Sequence, residues 1–263
     1  MLLSAKDLLK TRQNELLKLR TKLSGVPTLA LIWVGDDKQT ATFINKKQAM
    51  AKKLSCQFSL HHFPDAETRQ LKALIEGLNS RPDVAGIVLQ LPLPDKVDTA
   101  GLIETIDSKK DIDNLRGDDI YGSPTVSGII DLLRHHQIPI EQLKTVVLGA
   151  GKLVGAPLAK TFAKNGWSLT VIAAKARQQA EIIAGHDLLI SATGVKKIVT
   201  PTMVSAKMIV IDGSGIDVDV EQIEPLVKAV TPQTGAIGPL TVSYLFSNLL
   251  QAARQTAPIK PKA

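Results

Sequence analysis

The chain alternates runs of strand length with amphipathic runs of helix length almost from end to end, and this rhythm admits only one broad class of fold. Residues 28–34, 57–63 and 84–89 read as strands. Residues 4–22, 39–54 and 67–78 carry apolar side chains at helical spacing, with Leu8, Leu9, Leu16 and Leu17 on the first of them. Such alternation argues for a parallel sheet covered by helices. The polar stretch 107–124, containing Lys109, Lys110, Asp111, Asp113, Arg116, Asp118 and Asp119, breaks the rhythm. A second series then follows, with strands at 145–148, 168–173, 187–191 and 208–211, a connecting helix at 127–136 and a final amphipathic helix at 241–253. The expected architecture is therefore α/β with two domains, 1–120 and 121–240, each built on a parallel sheet.

At 263 residues, with 44% hydrophobic and 22% charged side chains, the chain can bury a core of ordinary size. No apolar run approaches bilayer length. The start, Met1-Leu-Leu-Ser-Ala-Lys6, runs into an amphipathic helix and is not expected to be a signal peptide. A single cysteine, Cys56, excludes an internal disulfide and any multi-cysteine metal site, so a cytoplasmic location is the default. The net charge of +7 raises the question of nucleic acid, but aromatic residues are only 3% and none interleaves with a basic run. Neither nucleic acid nor membrane is an expected partner. The tail 258–263 supplies part of the charge and is expected to fray. The remaining charge suits an anionic small molecule.

Several segments bear chemistry. In Val88-Leu-Gln-Leu-Pro-Leu-Pro94, the prolines stop a buried strand and leave Gln90 at its carboxyl end. Ligands of open α/β sheets bind there, and an amide can both donate to and accept from a heterocycle. A plain polar strand terminus is the competing reading. Phe43 and Lys47 share a helix face, where a lysine beside a ring at a pocket wall would have a lowered pKa, although periodicity alone favours a surface lysine. Asp111 and Asp113 would point the same way on an extended backbone, as a ligand site or as solvated carboxylates.

In the second half, Gly149-Ala-Gly-Lys-Leu-Val-Gly155 joins a strand to a helix, which suits a phosphate at a helix N-terminus or a simple strand-to-helix turn. The next strand ends in Val171-Ile-Ala-Ala-Lys-Ala-Arg177, without the carboxylate that usually holds the ribose of NAD. Lys175 and Arg177 stand there instead, available to a 2′-phosphate or simply to solvent. The adjacent pairs His61, His62 and His135, His136 cannot face one site, so no metal is expected.

Taken in order, these segments resemble the bifunctional methylenetetrahydrofolate dehydrogenase/methenyltetrahydrofolate cyclohydrolase family. Val34-Gly-Asp-Asp37 and Phe43-Ile-Asn-Lys-Lys47 resemble VGDxxxSxxYVxxKxK, and Val88–Pro94 resembles VQLPLP. Lys110-Asp-Ile-Asp113 resembles KDVDG, Gly149–Pro157 resembles GRSxIVGxP, and TPQTGAIGPLT at 231–241 resembles TPVPGGVGPMT. The resemblance implies that Lys47 is catalytic, that Gln90 and Asp113 hold the pterin, and that Phe43 stacks on the folate in place of a tyrosine. It further implies that Gly149, Ala150 and Gly151 form the cofactor phosphate loop. Lys175 is the basic residue kept from the family's HSRT pattern, Gly215 and Ile216 lie near the nicotinamide, and Gly238 and Pro239 lie beside the active cleft.

On this basis 1–120 would bind folate and carry catalysis, with helix 241–256 packing back on it. Residues 121–240 would be Rossmann-like and hold NADP, with NAD possible, and the active cleft would lie between the domains. The implied function is oxidation of 5,10-methylenetetrahydrofolate to the methenyl form and hydrolysis of that to 10-formyltetrahydrofolate. The implied partners are tetrahydrofolate derivatives and a second copy of the chain, as a homodimer. The departures fall mostly in the cofactor half: Ala150 and Gly151 replace arginine and serine, HSRT is reduced to Lys175, and 211–218 is shorter than the family loop. They leave a second reading open, a diverged paralogue that binds folate or nucleotide with little or no turnover.

Overall fold

The computed structural model describes residues 1–256, so the tail at 258–263 lies outside the described residues. In chain order the first elements are α1 (Lys6–Arg20), β1 (Thr28–Val34), α2 (Lys38–Lys53), β2 (Gln57–Phe63), α3 (Thr68–Asn79), β3 (Val84–Leu89) and α4 (Thr99–Thr105). They are followed by α5 (Pro124–His135), β4 (Thr145–Leu148), α6 (Gly155–Asn165), β5 (Leu169–Ile172), α7 (Gln179–Ala184) and β6 (Leu188–Ser191). The last are β7 (Ile209–Asp212), α8 (Val220–Ile223), β8 (Ala229–Val230) and α9 (Ile237–Thr256). The chain folds as two compact units.

One unit comprises residues 12–122 and the described chain from Val242 to Thr256. Its parallel sheet has the order β2-β1-β3. Alternation along the strands decides what each face meets. Leu29, Leu31 and Trp33 of β1, with Ala85 and Val88 of β3, pack against Leu16 of α1, Ile44 and Ala51 of α2, and Leu245, Phe246 and Leu249 of α9. Ala30, Ile32 and Val34, with Ile87 and Leu89, pack against Leu71, Ile75 and Leu78 of α3 and Leu102 and Ile103 of α4. Because β1 is central, both its faces are covered and all seven of its residues are buried.

The other unit comprises Met1–Thr11 and Ser123–Thr241. Its five strands are parallel in the order β5-β4-β6-β7-β8. One face packs on α5 and α6 through Ile129, Leu132, Leu158 and Phe162. The other covers Val146, Leu148, Leu189 and Val210 with Ile183 and Ile223 of α7 and α8. Among the described residues, no helix is long and apolar enough to cross a membrane.

Two boundaries differ most from expectation. Residues 1–11 were expected with 12–120, but they pack in the other unit. The reason is a short sheet edge: β8 has only two residues, and an unpaired edge invites a partner. Leu3 N donates to Val230 O at 2.8 Å, and Val230 N donates to Met1 O at 3.0 Å. The final helix begins at Ile237 and not near 241, which puts Pro239 in its first turn. A proline is tolerated there because first-turn amides have no helical acceptor. The short α4 and α7 escape periodicity altogether, having too few turns to show it.

Candidate active site

In both sheets the strand order reverses beside the first strand of the unit, between β1 and β3 and between β4 and β6. Crevices for ligands open at the carboxyl ends of strands at such switch points. Gln90 stands at the first. Its N–H continues the ladder one step beyond β3, donating to Ile32 O at 2.9 Å, before the prolines end pairing. At the end of β1 the chain turns at Gly35, with φ of 104°. Asp37 then caps α2 by accepting from Thr40 N at 2.7 Å.

That start sets the rotation of α2 and turns Lys47 inward. The lysine is 3% exposed, against the surface position that periodicity favours. Its Nζ donates to Gln90 Oε1 at 2.9 Å and lies 5.0 Å from the centre of the Phe43 ring. Burial lowers the Lys47 pKa, and the negative charge of Asp113 counteracts that fall. Burial likewise raises the Asp113 pKa, with Lys47 opposing. Gln90 Nε2 is engaged by Leu91 O at 3.1 Å, so the amide is held on both sides.

Asp113 is brought to Lys47 by a strap along β3. Ile87 N donates to Lys110 O at 2.8 Å. Gly86 leaves room for Ile112, whose Cδ1 would be 2.7 Å from a Cβ at that glycine. From α9, Asn248 Nδ2 donates to Ile112 O at 2.8 Å and Gly122 O at 2.9 Å, closing the strap from behind. Lys110 Nζ donates to the carbonyls of Leu78, Asn79 and Arg81 at the end of α3.

The paired reading of Asp111 and Asp113 fails. The backbone is not extended but turns: Asn114 N donates to Asp111 O at 3.1 Å, and Asn114 has φ of 54°. Asp111 instead accepts from Leu115 N and Arg116 N, and burial pushes its carboxyl up to about 6.

At the second switch point lies the glycine turn. Gly149 has φ of 107°, and a Cβ there would stand 2.6 Å from Ala192 O. A Cβ at Gly155 would run into the carbonyl oxygen of Gly149. These two glycines let the start of α6 close onto the end of β4. Gly151 has open space beside it. The amides of Ala150, Gly151, Lys152 and Leu153 find no acceptor among the described residues, so the turn offers donors at a helix N-terminus. This donor set and cradle fit a pyrophosphate.

Beyond β5, Lys175 and Arg177 are exposed on a turn held by Gln179 Nε2, which donates to Ala173 O and Ala174 O. Gly215 and Ile216 lie on the turn after β7. Sequence reasoning passed over Asp212, Ser214 and Asp217, which organise that turn; two aspartates flanking a glycine just after a strand are the signal that points to them. Gly238 and Pro239 are half-buried in the first turn of α9.

The histidines serve structure. His62 stacks on Trp33 with ring centres 4.0 Å apart, and His135 meets His136 edge to face. No group of potential metal ligands occurs among the described residues.

Comparison with known proteins gives concordant results. Residues 3–113 match the tetrahydrofolate dehydrogenase/cyclohydrolase catalytic domain, and 123–257 match the NAD(P)-binding domain of the same family. The bifunctional protein FolD of Campylobacter curvus is 32% identical over 251 residues, covering 88% of this chain and 87% of its own. That of Acholeplasma laidlawii is 33% identical over 256 residues, covering 90% and 92%. The crystal structure of the Campylobacter jejuni FolD methylenetetrahydrofolate dehydrogenase/cyclohydrolase has a TM-score of 0.87 at 28% identity, over 98% of this chain and 99% of that one. The Trypanosoma brucei enzyme, complexed with NADP cofactor and inhibitor, has a TM-score of 0.88 at 25% identity, over 97% of each chain. The chain, with its catalytic and NAD(P)-binding domains, belongs to the tetrahydrofolate dehydrogenase/cyclohydrolase family.

Proposed function

We propose that this chain catalyses both family reactions, oxidising 5,10-methylenetetrahydrofolate with NADP and hydrolysing the methenyl product to 10-formyltetrahydrofolate, with Lys47, Gln90 and Asp113 as the working side chains. The carrying observation is the buried amine of Lys47, bonded to Gln90 Oε1 at 2.9 Å and balanced by Asp113. Lys110, also buried, is satisfied by three carbonyls; Lys47, on α2, gains one hydrogen bond for its burial, which marks its amine as one that is used. Bound NADP would accept the hydride. The turn 149–155 would hold its phosphates, and Lys175 would meet the 2′-phosphate. Phe43 offers a ring face to the pterin.

In the hydrolysis, water adds to the methenyl carbon and gives a proton to Lys47, whose lowered pKa favours the neutral amine that accepts it. Gln90 orients the lysine and the pterin. The hydroxyl adduct then collapses: its O–H proton leaves, the carbon–N5 bond breaks, N5 takes up a proton and the formyl group stays on N10. One proton is released overall.

Asp113 has a signature in pH. Its negative charge holds the Lys47 pKa up. Asp113→Asn removes that charge, so the amine becomes neutral at lower pH and the acidic limb of kcat for hydrolysis moves to lower pH. A profile of kcat against pH with methenyltetrahydrofolate checks it. A limb that stays put, or moves up, would separate Asp113 from the lysine.

Lys175 sets the choice between cofactors. A charge-assisted contact to a 2′-phosphate contributes roughly 1.5–3 kcal/mol. Lys175→Ala is expected to raise KM for NADP about ten- to a hundredfold, leaving KM for NAD unchanged. Equal use of NAD and NADP by the unsubstituted protein would show the lysine to be only solvated. The same reading makes the protein a cytoplasmic homodimer, in keeping with the family resemblance and the lone, half-buried Cys56.

A further inference from the structure

We propose that Asp212, Ser214 and Asp217 are positioning residues that hold the turn Gly215–Ile216 in a fixed shape against the nicotinamide ring. This rests on the cofactor reading above.

Every main-chain polar group of the two residues is engaged within the protein. Gly215 N donates to Asp212 Oδ1 at 2.6 Å, and Gly215 O accepts from Gln233 Nε2 at 3.1 Å. Ile216 N donates to Ser214 Oγ at 3.2 Å, and Ile216 O accepts from Lys197 N at 2.8 Å. Gly215 is nevertheless exposed. Exposed turns commonly leave such groups to water, so an exposed turn bonded this completely is pre-shaped. What it offers a ligand is the Gly215 Cα, the Ile216 side chain and the second lone pair of each carbonyl, all in a fixed shape.

The clamp is anchored in the sheet. Asp217 is fully buried and accepts from Ser191 Oγ at 2.6 Å, Thr193 N at 2.7 Å, Thr193 Oγ1 at 2.9 Å and Ser214 Oγ. It thereby ties the ends of β6 and β7 together. Asp212 accepts from Ser214 N, Gly215 N and Val218 N. Neither carboxylate is paired with the neighbouring Lys197, whose Nζ binds Asp219 at 2.7 Å. Their charges are held by N–H and O–H dipoles, an arrangement that specifies shape. Hydride transfer depends steeply on the placement of the ring, which is where such shape would matter.

The test uses Ser214→Ala, which removes only the hydroxyl link, and Asp217→Asn. In the unsubstituted protein without added ligand, the amides of 214–218 are expected to be protected from hydrogen exchange; in both variants protection falls. The kcat for NADP-dependent oxidation falls about ten- to a hundredfold, with KM for NADP little changed. Hydrolysis of supplied methenyltetrahydrofolate, which needs no nucleotide, is unchanged. Unaltered exchange, unaltered oxidation in both variants, or equal loss of both activities in Ser214→Ala would each overturn the proposal. Hydrolysis without any NADP-dependent oxidation in the unsubstituted protein would overturn the cofactor reading instead.

Discussion

Lys47→Ala should reduce hydrolysis of methenyltetrahydrofolate by about 10²–10⁴-fold, the usual contribution of a positioned proton acceptor. The loss should appear in kcat, because Phe43 and the strap that carries Asp113 remain to hold the pterin. Lys47→Met should behave alike, since it keeps the volume of the stem and removes only the amine. Neither variant should be much less stable. The amine in the native protein bears the cost of burial, which is why its pKa is lowered; its loss leaves Gln90 Oε1 without a donor and Asp113 without the opposing charge, and a carboxyl already raised by burial answers by taking up a proton. Turnover followed by methenyl absorbance, with a thermal melt of each variant, decides the matter. Full hydrolysis in a folded Lys47→Met protein would take the amine out of the chemistry.

Gly155→Ala should abolish nucleotide binding and cost about 1–3 kcal/mol of stability. The added methyl has nowhere to go: it meets the Gly149 carbonyl oxygen and also lies 2.7 Å from the Ala150 Cα. Both are backbone, so relief requires α6 to move away from the end of β4. That movement opens the turn whose amides are set for the pyrophosphate. Titration of NADPH fluorescence should show no binding, while hydrolysis of supplied methenyltetrahydrofolate persists. Gly151→Ala is the control. That position has open space around it, and an alanine there should leave the fold intact. Normal NADPH affinity in Gly155→Ala would mean that the turn has no part in holding the phosphates.

Much of the fold follows from alternation alone. The strands β1, β3 and β4 lie where their side-chain pattern puts them, because a strand covered on both faces must be apolar throughout and prolines or polar residues must end it. The position of Gln90 was legible for the same reason: the first polar residue after such a strand marks its end. The glycine turn at 149–155 was legible because only a missing side chain allows a helix start to approach a strand end so closely.

Tertiary contacts decided the rest. Periodicity would leave Lys47 on the surface, and only the packing of α2 against the sheet turns it in to Gln90. Asp111 and Asp113 look equivalent in sequence, yet a single turn at Asn114 sends one to the backbone of Leu115 and Arg116 and the other to the lysine. Residues 1–11 pack with the distant β8 because a two-residue strand leaves an edge to be covered, a need that appears only once the sheet exists. Local pattern determines which segments are buried; which buried groups meet is decided by contacts across tens to hundreds of residues, about which a local pattern says nothing.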